Sequence, residues 1–135
     1  MTSVQSIALE LTIRVGSLEG LGPLYELMRI KGVSWDNPPG SIWFVAYADN
    51  RVVGSCCYVE KNGQARFKSD AVLPAFRGQG IYKALSAARL KYADEACISR
   101  ATSFSSKDSR RQFLNDGFIQ VSENARGIAF MSKVF

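Results

Sequence analysis

Between Val72 and Leu85 the chain reads Val-Leu-Pro-Ala-Phe-Arg-Gly-Gln-Gly-Ile-Tyr-Lys-Ala-Leu. An apolar strand breaks at Pro74, a short turn holds Gly78 and Gly80, and a helical pattern begins at once. Two glycines one residue apart let the backbone approach a ligand with no Cβ between them. The first N–H groups of the helix have no partner within it and lie at the positive end of its dipole. Arg77 adds a full positive charge beside them. Strand, glycine turn and helix N-terminus together make a cradle for phosphate. The dinucleotide fingerprint G-x-G-x-x-G fails at its third glycine, where Lys83 stands, and no G-x-x-x-x-G-K-[ST] loop occurs.

Composition bounds what such a cradle can serve. With 135 residues, 47% of them hydrophobic, the chain is expected to form one domain over residues 1–135, with a sizeable core and no room for a second. No charged segment followed by a long apolar run opens it, and no stretch reaches the length of a membrane span. Cys56 and Cys57 are adjacent and Cys97 is remote, which makes neither a disulfide nor a zinc pattern. All three lie in strand-like runs, so buried core thiols and a cytoplasmic location are expected. There is no histidine, which removes histidine triads, histidine bases and most zinc sites, and no metal is expected. The net charge of +5 suits a small polyanion. The basic residues are spread out apart from Arg110-Arg111, so nucleic acid is not the favoured partner.

Periodicity gives the order of elements. Ile7, Leu9, Leu11 and Ile13 alternate as a strand. Ser17 can cap a helix to Lys31 with Leu18, Leu21, Leu24, Tyr25 and Met28 on one face. Strands over Ile42–Tyr47 and Val52–Val59 meet at Asp49-Asn50, and Asn62-Gly63 closes a second hairpin into Ala65–Leu73. The helix after the glycine turn carries Ile81, Leu85, Ala88 and Tyr92 on one face, with Lys83, Arg89 and Lys91 on others. Cys97–Phe104 reads as a strand, Ser106 caps a short helix that Gly117 ends, and Phe118–Val121 and Ile128–Val134 are closing strands. The order is β-α-β-β-β-α-β-α-β-β: an antiparallel meander, one parallel crossover and a final hairpin.

The glycine loop resembles the acetyl-CoA loop of the GNAT N-acetyltransferase superfamily, Q/R-x-x-G-x-G/A after the fourth strand. Arg77 and Gly80 fill its first and fourth places, with Tyr82 where Gly or Ala is usual; a shift of two recovers both glycines and puts Ala75 in the Q/R place. The segment from Ser106 through Ser109 to Gly117-Phe118 is similar to a second family stretch, N-x-x-S/A…Y-x-x-x-G-F. The resemblance runs from end to end. It implies an α+β fold with a mixed, mostly antiparallel central sheet and helices on both faces. The fourth and fifth strands are expected to splay around the pantetheine arm, which pairs with strand-four backbone.

For the site, the resemblance implies acetyl-CoA as co-substrate, held by Val72, Leu73, Arg77, Gly78, Gln79, Gly80, Ile81, Tyr82, Lys83 and Ser106. The family's usual tyrosine acid falls on Phe113, and the acidic base of its protein N-terminal acetyltransferases falls on Ala101. Asp70, on Val72's face by period two, and Tyr82 are the substitute candidates for proton transfer. A solvated or salt-bridged Asp70 and a packed Tyr82 are the competing structural readings. Trp35, Asp36 and Trp43 lie where relatives wall the acceptor, a primary amine on a small molecule, amino acid or protein. Three functions follow: an acetyl-CoA-dependent N-acyltransferase, a catalytically silent acyl-CoA-binding regulatory module, or an interaction domain for nucleic acid or protein. An exposed strand of the closing hairpin could pair across a homodimer.

Overall fold

The computed structural model describes residues 10–16, Leu24, Arg29 and 36–135. Most of the helix expected over residues 17–31, the beginning of the first strand, and Trp35 lie outside the described residues. Seven strands form one sheet: β1 (Leu11–Gly16), β2 (Ser41–Ala48), β3 (Arg51–Lys61), β4 (Gln64–Val72), β5 (Arg100–Ser105), β6 (Ile119–Glu123) and β7 (Ala129–Val134), in the order β1-β2-β3-β4-β5-β7-β6. All neighbours are antiparallel except β4 and β5. Helices α1 (Ile81–Glu95) and α2 (Lys107–Asn115) follow β4 and β5. No helix among the described residues is long and apolar enough to cross a membrane.

Local chemistry sets the meander. Asp49 and Asn50 have φ of 50° and 65°, and Asn62 and Gly63 have 56° and 77°. Both pairs are the two-residue, positive-φ turns whose twist matches that of the strands they join. The sheet then separates two cores. On the α1 face, Phe44, Tyr58, Phe67, Ile81, Leu85, Phe113 and Phe118 pack together. On the other face, helical Leu24 is buried against Trp43, Val45 and Cys57. The sheet therefore has helix on both sides.

In α1 the buried stripe runs Ile81, Leu85, Arg89, Ala93, one residue every four. Arg89, expected on another face, stands in the middle of it. Gly54 of β3 lets this helix come close: a Cβ there would lie 3.1 Å from both the Ala71 carbonyl oxygen and Leu85 Cδ1, and 3.3 Å from Ile81 Cγ2. Two further expectations change. Cys97 is exposed, in a turn with φ of 60°, and β5 begins only at Arg100. Cys56 and Cys57 are buried; burial pushes the Cys57 thiol up to about 11. Ser106 occupies the N-cap of α2, but its hydroxyl makes no capping bond.

Gly54→Val should push the first turn of α1 off the sheet. Overpacking of this kind costs about 1–3 kcal/mol, and urea denaturation should show it as a lowered midpoint with an unchanged slope.

Candidate active site

β4 and β5 are paired only from Gln64 opposite Arg100 to Phe67 opposite Ser103. At that last rung the Ser103 hydroxyl donates to the Phe67 carbonyl over 3.1 Å. Just beyond it β4 carries an extra residue. Cys57 faces Lys68 and Ser55 faces Ala71, so two steps along β3 match three along β4. Ser69, inside this bulge, has φ of 60° and is buried. A bulge bends its strand and sharpens the twist, which accounts for β4 leaving β5 here. A non-glycine residue in this conformation costs about 1–3 kcal/mol, supplied by the surrounding structure.

The extra residue also changes which side chains share a face. Ala65 and Phe67 point to the α1 core, and after the bulge Val72 and Asp70 do so as well. Odd positions give way to even ones, which strict alternation forbids. Leu73 packs with the Trp43 cluster on the far face.

The divergence opens a cleft of about 1010 Å³. Its near wall is β4 from Arg66 to Val72, and its far wall includes Ser103, Phe104, Ser106, Ser109 and Phe113. Leu73 N–H donates to Val53 at 2.8 Å. Antiparallel alternation therefore turns Val72's N–H and C=O to the opposite edge, toward the cleft. The Val72 carbonyl accepts from Arg77 Nε at 3.2 Å.

At the mouth, Gly78 and Gly80 have φ of 75° and 79°, and a Cβ on either would meet nothing within 4 Å. The backbone conformation demands glycine, while the space above both stays open. Gly80 is the N-cap of α1 and no side chain caps that end. The first helical bond runs from Ala84 N–H to the Gly80 carbonyl at 3.0 Å. The N–H groups of Ile81, Tyr82 and Lys83 thus have no acceptor in the helix. Arg77 and Lys83 are exposed beside them.

Deeper in, the Tyr82 hydroxyl donates to Asp70 Oδ2 at 2.5 Å. Arg89 grips the same carboxylate with Nη1 to Oδ1 at 2.6 Å and Nη2 to Oδ2 at 2.9 Å. Arg89 is completely buried. Its Nη1 also donates to the Cys57 carbonyl at 3.1 Å, and its guanidinium lies 4.2 Å from the centre of the Phe67 ring. Burial is the largest influence and opposes its charge, but the charge and hydrogen bonds of Asp70, together with its other neighbours, more than offset it and hold the guanidinium more firmly protonated than usual. Burial first, then the negative charge of Asp70, raises the Tyr82 phenol well above its ordinary value. The tyrosine keeps its proton across the neutral range.

Asp70, Val72, Arg77, Gly78, Gly80, Ile81, Tyr82, Lys83 and Ser106 therefore line one cleft, while Leu73 and the exposed Gln79 do not. Ser106's neighbours Ser105 and Ser109 share a bond of 2.9 Å between their hydroxyls. Phe113 is buried edge-on to Phe118 at 5.0 Å, and Ala101 is buried in the core. Of the three residues expected near the acceptor, Trp35 lies outside the described residues. Asp36 binds Lys68 at 2.6 Å, and Trp43 is buried, donating to Asn37 at 2.9 Å. Among the described residues no cluster of His, Cys, Asp or Glu could hold a metal. Arg89 is the residue that sequence reasoning missed. Its signal was the four-residue spacing from Ile81 and Leu85, which puts it on the buried stripe.

The family model described as acetyltransferase (GNAT) domain matches residues 39–127. The chain belongs to the GNAT acetyltransferase family. Solved structures agree on the fold of this GNAT chain at low identity. The PaiA N-acetyltransferase of Thermoplasma acidophilum, in complex with coenzyme A, superposes with a TM-score of 0.76 at 15% identity, covering 93% of this chain and 99% of its own. The ribosomal-protein-S18-alanine N-acetyltransferase of Escherichia coli gives 0.77 at 12%, covering 92% and 93%. N-acetylglutamate synthase of Neisseria gonorrhoeae, complexed with coenzyme A and L-arginine, gives 0.73 at 16%, covering 93% of this chain and 33% of that one. No curated protein matches by sequence.

Removing Arg89 alone should be severe, because Asp70 is left mostly buried without its cation. Arg89→Met is expected to cost about 3–5 kcal/mol. Adding Asp70→Asn should recover most of that, since a neutral pair strands no charge. Urea melts of the single and double variants check it; equal stability of the two would mean that the pair is not coupled.

Proposed function

We propose that this GNAT chain transfers an acetyl group from acetyl-CoA to a primary amine. The observation that carries the reading is the divergence of β4 from β5, opening a cleft that leads to the uncapped N-terminus of α1. The two ends of the cleft suit the two ends of the donor. At the mouth, the N–H groups of Ile81, Tyr82 and Lys83 and the charges of Arg77 and Lys83 would take the diphosphate. The open space over Gly78 and Gly80 gives it room. Inside, the Val72 N–H would pair with the amide-bearing arm, as an added strand does, or steady the oxyanion formed when an amine attacks the thioester. Ser106 on the far wall would contact the remainder of the donor.

Acetyl transfer requires the amine to lose a proton and the departing thiolate to gain one. Asp70 and Tyr82 are the ionisable pair at the inner end of the cleft, and the geometry makes them unequal. Asp70 commits both oxygens to Arg89 and Tyr82, so taking up a proton would dismantle that arrangement. The Tyr82 hydroxyl lies on the cleft wall with its proton on the bond to Asp70; we read it as the donor to the thiolate when that bond is exchanged, with Asp70 holding the hydroxyl in place. Its raised pKa makes it a weak acid. The amine's own proton goes to solvent. Slow turnover on generic amines is the consequence. Two buried and one exposed free thiol fit a reducing, cytoplasmic setting. A second reading, a catalytically silent acyl-CoA-binding module, is favoured by Phe113 and Ala101, neither of which can carry a proton.

Titration calorimetry should show acetyl-CoA binding. Arg77→Glu should weaken it more than tenfold, since a charge-assisted phosphate contact is worth about 1.5–3 kcal/mol. No binding by wild type at millimolar donor would end the assignment.

CoA release measured over an amine panel from about pH 6 to 9.5 should rise toward the pKa of each amine, because only the neutral amine attacks. A raised phenol pKa means that Tyr82 stays protonated as pH climbs, so no falling limb should appear in this window. Tight donor binding with no release on any amine would favour the silent module.

A further inference from the structure

Arg89 sits in a helix stripe where an apolar residue would pack without any desolvation penalty, and it does not line the cleft. What it does is fix a carboxylate. Its two Nη groups hold the two oxygens of Asp70 in one plane, which stops the carboxylate from turning. The arginine is itself fixed by the Cys57 carbonyl of β3 and by the face of Phe67 on β4. Oδ2 then presents its remaining acceptor capacity to Tyr82, seven residues before Arg89 and two helical turns away on the same side of α1. The tyrosine hydroxyl is thereby held at the wall of the cleft beside the bulge.

We propose that Arg89 is a positioning residue for acyl transfer, clamping Asp70 so that Asp70 holds the Tyr82 hydroxyl at the inner end of the cleft. The proposal rests on the acyltransferase reading. An ion pair that only stabilised the fold would need no tyrosine and would act alike whether Tyr82 carried its hydroxyl or not. A positioning residue acts through that hydroxyl alone.

The test compares wild type with Arg89→Lys, which keeps the cation but loses the two-pronged grip, and with Asp70→Asn/Arg89→Met, which removes both charges without stranding either. Each is made with and without Tyr82→Phe. The readouts are kcat and KM for CoA release, calorimetric affinity for acetyl-CoA, and the downfield hydroxyl proton that the short Tyr82–Asp70 bond should give in the proton NMR spectrum. Arg89→Lys should lower kcat about tenfold or more with donor affinity within about twofold, and should shift or erase the downfield proton. In the Tyr82→Phe background the same change should alter kcat by less than about twofold. The double-neutral variant should fold and be as slow as Tyr82→Phe. A tenfold loss of similar size in both backgrounds, or an Arg89→Lys enzyme with wild-type kcat, would overturn the proposal and leave the acyltransferase reading standing. Wild type that shows the downfield proton but turns over no amine would sink the acyltransferase reading and this proposal with it.

Discussion

β4 carries one more residue than β3 can pair, and the site follows from where that residue sits. Placed at Ser69, the bulge turns the strand away from β5 two residues after the last parallel rung. Had the ladder continued, the N–H and C=O groups of Val72 would have been consumed by β5 and the cleft would be sheet. Because it stops, a row of strand backbone faces open space inside an otherwise filled sheet. The left-handed conformation at a buried serine is the strain that the fold accepts for this opening, and the hairpins on either side of β3 hold it in place.

The same inserted residue decides what the cleft contains. It brings Asp70 onto the face that α1 covers, where an uncompensated carboxylate would be costly. Arg89 offsets that charge from the helix, and Gly54 lets the helix come close enough for it to do so. Tyr82 completes the arrangement from the first turn of α1, whose N–H groups form the mouth. One helix therefore supplies both ends of the site: unsatisfied backbone donors outside and a buried cation within. Displacing the helix would disturb both together.

Local signals made much of this legible in the sequence. Asp49-Asn50 and Asn62-Gly63 carry their turn chemistry in two residues, and the Gly78–Gly80 loop announces itself between a strand and a helix. The bulge gave no such signal, because a serine occupies the position where glycine would have marked positive φ. Period two still put Asp70 and Val72 on one face, since both lie beyond the bulge, but it could not show that Phe67 shares that face. Its charge sets Arg89 with Lys83 and Lys91 on other faces of the helix, although its spacing from Ile81 and Leu85 puts it on the buried stripe. The apolar neighbours of Cys97 suggest a strand, but the chain needs a turn there to leave α1. The acceptor amine was not legible, because no short motif encodes the shape of a wall.

If the opened edge of β4 and the first turn of α1 act as one binding surface, both must respond to the same ligand. Backbone amide spectra of the isotopically labelled protein, followed during addition of acetyl-CoA, test it most directly. The Val72 amide and those of Ile81, Tyr82 and Lys83 should shift together and saturate with one affinity, while the amides of β6 stay in place. Shifts confined to the helix, with Val72 unmoved at saturation, would contradict it.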